Sequence, residues 1–140
     1  MTHIDNYLQL KGAITSEFQQ SLSASDAMDL LTAGNDRFLS QKPVKREREA
    51  LLQGAASGQA PFAAVLGCID SRAPIEELFD AEIGDLFVAR VAGNTVNGDI
   101  LGSLEYACKY AGSKAILVLG HTQCGAVKGT YAQLEDGNLT

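Results

Sequence analysis

The sequence predicts an α/β fold built on a parallel sheet, and three observations predict it. Residues 62–67 and 115–120 form two strand-length runs that are apolar at almost every position, a pattern suited to strands buried on both faces. A third run, 85–91, is similar. The segments between these runs carry apolar residues at helical spacing. Strands alternating with helices imply right-handed crossovers and parallel pairing. The first run pairs with both others in this reading, which gives the strand order 2-1-3 with flanking helices and an N-terminal helical arm.

Composition narrows the classes. At 140 residues, 46% hydrophobic and 20% charged, the chain is sized for one domain with a core of its own. A net charge of -6 argues against a nucleic-acid surface, which needs a basic patch. The one dense basic cluster, residues 42–48, is interrupted by Glu47 and followed by Glu49, so it reads as a solvated face. No run approaches the roughly 18 apolar residues of a membrane span. The start lacks the basic-then-apolar layout of a secretory signal. Three cysteines are an odd number, and two of them follow strands near histidine and aspartate. That fits thiolate metal ligands in a reducing cytoplasm better than a disulfide framework.

Residues 1–24 form the expected arm, with Tyr7, Leu8, Leu10, Ile14, Phe18 and Leu22 at roughly helical spacing. It has two equally open destinations, a partner subunit or its own domain. The α/β domain occupies 25–140. Its first helix starts at Ser25, a capping residue, and buries Ala27, Leu30, Leu31, Phe38 and Leu39. A second helix covers about 45–56, and a loop through Pro61 leads into strand one. After strand one, Pro74 opens a short helix that Gly84 closes. Strand two and a loop over 92–98 follow. The next helix has the most regular stripe in the chain, Ile100, Leu101, Leu104, Ala107, Cys108 and Ala111, with Gly112 placed to stop it. Strand three then precedes a last helix from about Cys124 to Leu134.

The chemistry gathers where strands one and three end. Each run closes in glycine followed by a metal-capable side chain, Cys68 and His121, and Cys124 lies one helical turn after His121. If the two strands are neighbours, Cys68, His121 and Cys124 converge at their carboxyl ends, where open α/β sheets bind ligands. Two thiolates and one imidazole describe a zinc site with a fourth position open. Asp70 and Arg72 follow Cys68 closely enough to pair, leaving an acceptor beside the metal that could orient hydroxide or hold its proton. Asp70 could instead fill the open position itself. Cys108, mid-stripe, is assigned to the core, and His3 to a frayed terminus. A phosphatase loop needs more residues between cysteine and arginine than the three present here. No Walker loop or G-x-G-x-x-G occurs.

These motifs resemble the β-class carbonic anhydrases. The resemblance covers about residues 25–134. It rests on Cys68-Ile-Asp70-Ser-Arg72, on Gly120-His121-Thr-Gln-Cys124-Gly125, and more weakly on Ala33-Gly-Asn-Asp-Arg-Phe38. It implies zinc on Cys68, His121 and Cys124, Asp70 and Arg72 as a catalytic dyad, and reversible hydration of carbon dioxide to bicarbonate through zinc-bound hydroxide. In the plant-like branch a Gln, a Phe and a Tyr line the substrate pocket, partly from a neighbouring subunit. Gln59, Phe87 and Tyr106 match those positions, and the absence of Trp is similar to that branch. A homodimer or higher homo-oligomer acting on a small molecule, with no nucleic acid or membrane partner, is implied. Family members continue past the last helix with another strand and more helices, so the domain is expected to be C-terminally incomplete. Two other outcomes stay open: a carbonyl sulfide or carbon disulfide hydrolase on the same site, and a non-catalytic zinc-binding protein.

Overall fold

Burial decides the centre of the sheet. In the computed structural model, which describes residues 2–135 and 137, the run after Pro61 forms β1 (Ala63–Gly67), and all five of its residues are buried. β2 (Leu86–Arg90) and β3 (Ala115–Leu119) pair with it in parallel, in the order β2-β1-β3. A strand with no polar position is stable only where both faces and both edges are covered. The register sets Gly67 level with Arg90 and with Leu119, so all three carboxyl ends open onto one rim. The predicted architecture is the one observed.

The two faces of the sheet differ. Ala63 and Val65 point into the larger core with Tyr7, Ile14, Leu22, Leu30, Leu31, Ile75 and Phe79. These come from α1 (His3–Leu8), α2 (Ser16–Ser21), α3 (Ala24–Leu39), α5 (Ile75–Leu78) and their flanking loops. α4 (Arg48–Ala56) adds the buried Leu51. The opposite face carries a smaller cluster, Ala64 with Leu104 and Ala107, flanked by Phe87 and Ile100. Its cover is α6 (Gly98–Glu105), which runs on into a π-helical turn, Tyr106–Tyr110. α7 (Gly125–Tyr131) follows β3. Residues 3–22 thus pack on the core of their own chain.

Three local features differ from the sequence reading. α3 is capped by Ser23, not Ser25: the Ser23 hydroxyl accepts from Asp26 N, and the Asp26 carboxylate accepts from Ser23 N at 2.8 Å. This reciprocal box satisfies two orphan donors, which a cap at Ser25 would leave open. The basic cluster is not wholly a solvated face, because Arg46 turns inward. Its side chain is 1% exposed and donates to Asp85 at 2.8 Å, and its guanidinium lies 4.4 Å from the Tyr7 ring. Tyr7 in turn donates its hydroxyl to Asp85 at 2.6 Å. The last helix is shorter than expected and ends at Tyr131.

The motif in α3 acquires a packing role. A Cβ at Gly34 would lie 1.9 Å from the Phe79 carbonyl oxygen, so only glycine lets α3 approach α5 this closely. Asn35 Nδ2 donates to Leu78 O at 2.9 Å, and Arg37 Nε donates to Asp80 at 2.6 Å. α3 therefore holds the helix that follows the Cys68 loop.

Candidate metal centre

Level strand ends bring the predicted ligands together. Cys68 leaves β1, His121 follows β3, and Cys124 caps α7 after a left-handed backbone turn at Gln123 (φ 59°). The ligand atoms of Cys68, His121 and Cys124 all lie within 4.8 Å of one another. The two sulfurs are 3.9 Å apart. Two zinc–sulfur bonds of roughly 2.3 Å meeting at the tetrahedral angle would span about 3.8 Å. Both cysteines are buried and free, so the pair is a dithiol and not a disulfide.

The histidine is oriented for ligation. His121 Nδ1 lies 2.9 Å from the Thr122 carbonyl, which can only accept. In the neutral ring Nδ1 therefore carries the proton, and Nε2 keeps its lone pair. That Nε2 is buried without a hydrogen-bond partner. A buried orphan acceptor is costly unless something occupies it, and a metal ion at the centre of the cluster would do so. The adjacent imidazole, followed by the Gly93 N–H at 3.3 Å, brings the Cys68 thiol down to about 6. The thiol in turn raises His121. Donor types, spacing and orphaned nitrogen all fit a metal held by Cys68, His121 and Cys124.

Asp70 and Arg72 pair with each other. Arg72 donates through Nε to Asp70 Oδ1 at 2.9 Å and through Nη2 to Oδ2 at 2.7 Å, and its backbone N–H adds a third bond at 2.9 Å. These side-chain bonds, reinforced by the backbone one, hold the Asp70 carboxyl well below the usual carboxylate range. Asp70 Oδ2 also lies 3.8 Å from His121 Nε2, which places the acceptor at the edge of the cluster.

Residues 63–140 match the family model described as carbonic anhydrase. The chain belongs to the β-class carbonic anhydrase family. It is 41% identical over 114 residues to the carbonic anhydrase 2 of Mycobacterium tuberculosis, covering 81% of this chain and 55% of that protein. Among solved structures, it resembles a β-carbonic anhydrase of Aspergillus fumigatus, with a TM-score of 0.62 and 28% identity over 80% of this chain and 54% of that one. It also resembles two tetrameric β-carbonic anhydrases of Sordaria macrospora, with a TM-score of 0.58 and 27% identity over 82% of this chain and 57% of that one. The chain thus spans about half the length of these carbonic anhydrases.

The three pocket residues that the resemblance implies do not come together at the metal ligands within one chain. Phe87 and Tyr106 meet edge to face at 6.3 Å and line a cavity of about 560 Å³ with Ala64, Ala89 and Gly102. Gln59 is exposed before β1, at the opposite end of that strand from Cys68. Sequence reading missed two contributors, Gly93 and Arg90. Gly93 supplies its N–H from a left-handed turn (φ 72°). Arg90 donates to the carbonyls of Cys68 and Asp70. The only signal for Arg90 was its position at the end of strand two, which gains meaning once the register is known.

Proposed function

We propose that this chain carries the zinc site of a carbonate dehydratase, hydrating carbon dioxide reversibly to bicarbonate and a proton. The observation that carries the reading is the convergence of two thiols and an unpartnered imidazole nitrogen within 4.8 Å. A carboxylate already fixed by arginine stands beside them. When bound, zinc supplies the Lewis acidity that makes hydroxide available near neutrality. Cys68 and Cys124 would hold it as thiolates and His121 through Nε2. Asp70, kept ionised by Arg72, can only accept a hydrogen bond, so it orients the nucleophile's proton away from the carbon under attack. Because both its oxygens are engaged by Arg72, Asp70 is also held off the position where substrate enters. Phe87 and Tyr106 line an apolar cavity that includes none of Cys68, Asp70, His121 or Cys124, so they, like Gln59, would serve a metal centre only from a second copy.

A homo-oligomer fits the thinly covered face. Ile116 and Val118 on β3 are 45% and 58% exposed, and Tyr110 and Tyr131 are more so. Large apolar side chains left this exposed suit a surface that a second copy covers. A reducing cytoplasm suits three free cysteines. No helix among the described residues is long and apolar enough to cross a membrane.

Metal analysis combined with hydration kinetics on the 140-residue chain tests the reading. One zinc per chain is expected, with turnover rising toward alkaline pH because two thiolates weaken the Lewis acid. Cys124→Ser should abolish both zinc retention and turnover. Zinc without turnover would favour a non-catalytic zinc protein. Turnover of carbonyl sulfide or carbon disulfide in place of carbon dioxide would favour the hydrolase.

A further inference from the structure

We infer that Arg90 is a positioning residue of the metal centre, a clamp that sets the spacing between the Cys68 ligand and the Asp70 acceptor. The inference rests on the metal-site reading above. Arg90 is the last residue of β2 and stands level with Gly67. Its Nε donates to the Cys68 carbonyl at 2.9 Å and its Nη2 to the Asp70 carbonyl at 2.6 Å. One guanidinium thus spans two carbonyls separated only by Ile69.

The loop has little else to hold it in place there. Ile69 is 60% exposed, so its side chain does little to anchor the peptide between ligand and acceptor. The Asp70 carbonyl has one other partner, the Ala73 N–H at 3.1 Å within the same turn. The grip from outside comes from the end of β2. Val91 N donates to Gly67 O at 3.1 Å, Arg90 takes the next two sites, and Gly93 N–H reaches the Cys68 sulfur. Arg90 is bonded to neither the Cys68 sulfur nor the Asp70 carboxylate, so it acts through the backbone that carries them. The task suits arginine: its donors sit in a rigid planar fork, whereas lysine offers a single point of attachment on a flexible stem.

Cobalt(II) loading of the 140-residue chain tests this without relying on turnover. Thiolate-to-cobalt charge-transfer absorption reports a formed site, and competition with a chromophoric chelator gives the affinity. The wild-type chain should show the tetrahedral thiolate spectrum; a wild-type chain that binds no cobalt overturns the metal reading and the clamp with it. Arg90→Ala should bind cobalt about 10- to 100-fold more weakly, the range expected when a group supporting a metal ligand is lost. Millimolar methylguanidinium should restore a large part of that loss. Arg37→Gln is the control: it breaks the ion pair with Asp80, outside the metal centre, and its cobalt affinity should not respond to methylguanidinium. Unchanged affinity in Arg90→Ala, or weakened affinity that methylguanidinium leaves unmoved, overturns the clamp. Should Arg90→Ala fail to fold, Arg90→Lys carries the test. It keeps the charge but cannot bridge both carbonyls, so wild-type affinity in that variant also overturns the clamp.

Discussion

The two ends of β1 each hold an arginine–aspartate pair, under opposite conditions. At the amino end, Arg46 and Asp85 meet at 2.8 Å with side chains 1% and 0% exposed, and Tyr7 completes a closed network. At the carboxyl end, Arg72 and Asp70 meet at 2.7 Å, but Arg72 is 65% exposed. Pairs of near-identical length therefore have different energetics. Burial makes the loss of one partner expensive at the first, while water screens the second. The buried network ties the arm to the basic segment and to the start of β2. The exposed pair contributes little to stability, and under the proposed function its value lies in presenting a charged acceptor beside Cys68 and His121.

The comparison can be broken by removing one carboxylate at each end. Asp85→Asn should cost about 3–5 kcal/mol in urea unfolding, because Arg46 is left buried without a counter-charge. A loss below about 1 kcal/mol would show that water reaches the network. Tyr7→Phe should cost about 1–3 kcal/mol by stripping Asp85 of a donor. It should also change the alkaline limb. Burial, helped by the Asp85 charge, pushes the Tyr7 phenol far above its ordinary value. A group raised in the folded state contributes stability that is complete below its unfolded pKa of about 10 and is lost above it. Wild-type stability should therefore fall above that pH by up to about 1.4 kcal/mol per pH unit on this account, and Tyr7→Phe should lack that component. The smallest effect on stability belongs to Asp70→Asn, expected within about 0.5 kcal/mol of wild type. Zinc should stay bound in that variant, while carbon dioxide turnover falls by about 100-fold or more. Unchanged turnover would remove Asp70 from the chemistry.

The amino acid pattern carried the site further than the packing around it. Cys68, His121 and Cys124 were legible because each sits at the edge of an apolar run, and strand order then forces them together. Asp70 and Arg72 were legible because a separation of two residues suffices to pair them. Ser23 was passed over for Ser25, since a capping box is recognised only when its reciprocal partner, Asp26, is placed. Arg46 looked solvated because a charge cluster averages over its members, and one residue's inward turn depends on Asp85 lying 39 positions away. Arg90 was invisible for a related reason. Its partners are backbone carbonyls on a neighbouring strand end, and carbonyls carry no sequence identity. Gln59 is the converse case, a residue matched by motif whose surroundings within one chain offer it no place at the metal.

Gly34 has a mechanical consequence. Its bare α-carbon sits against the Phe79 carbonyl, and α5 hangs from the same short loop that carries Cys68. A single added methyl at that contact would act as a wedge and lever α5 outward, dragging the sulfur from its partners. A helix outside the cluster would thus have a hand on how tightly a metal ion could be held there.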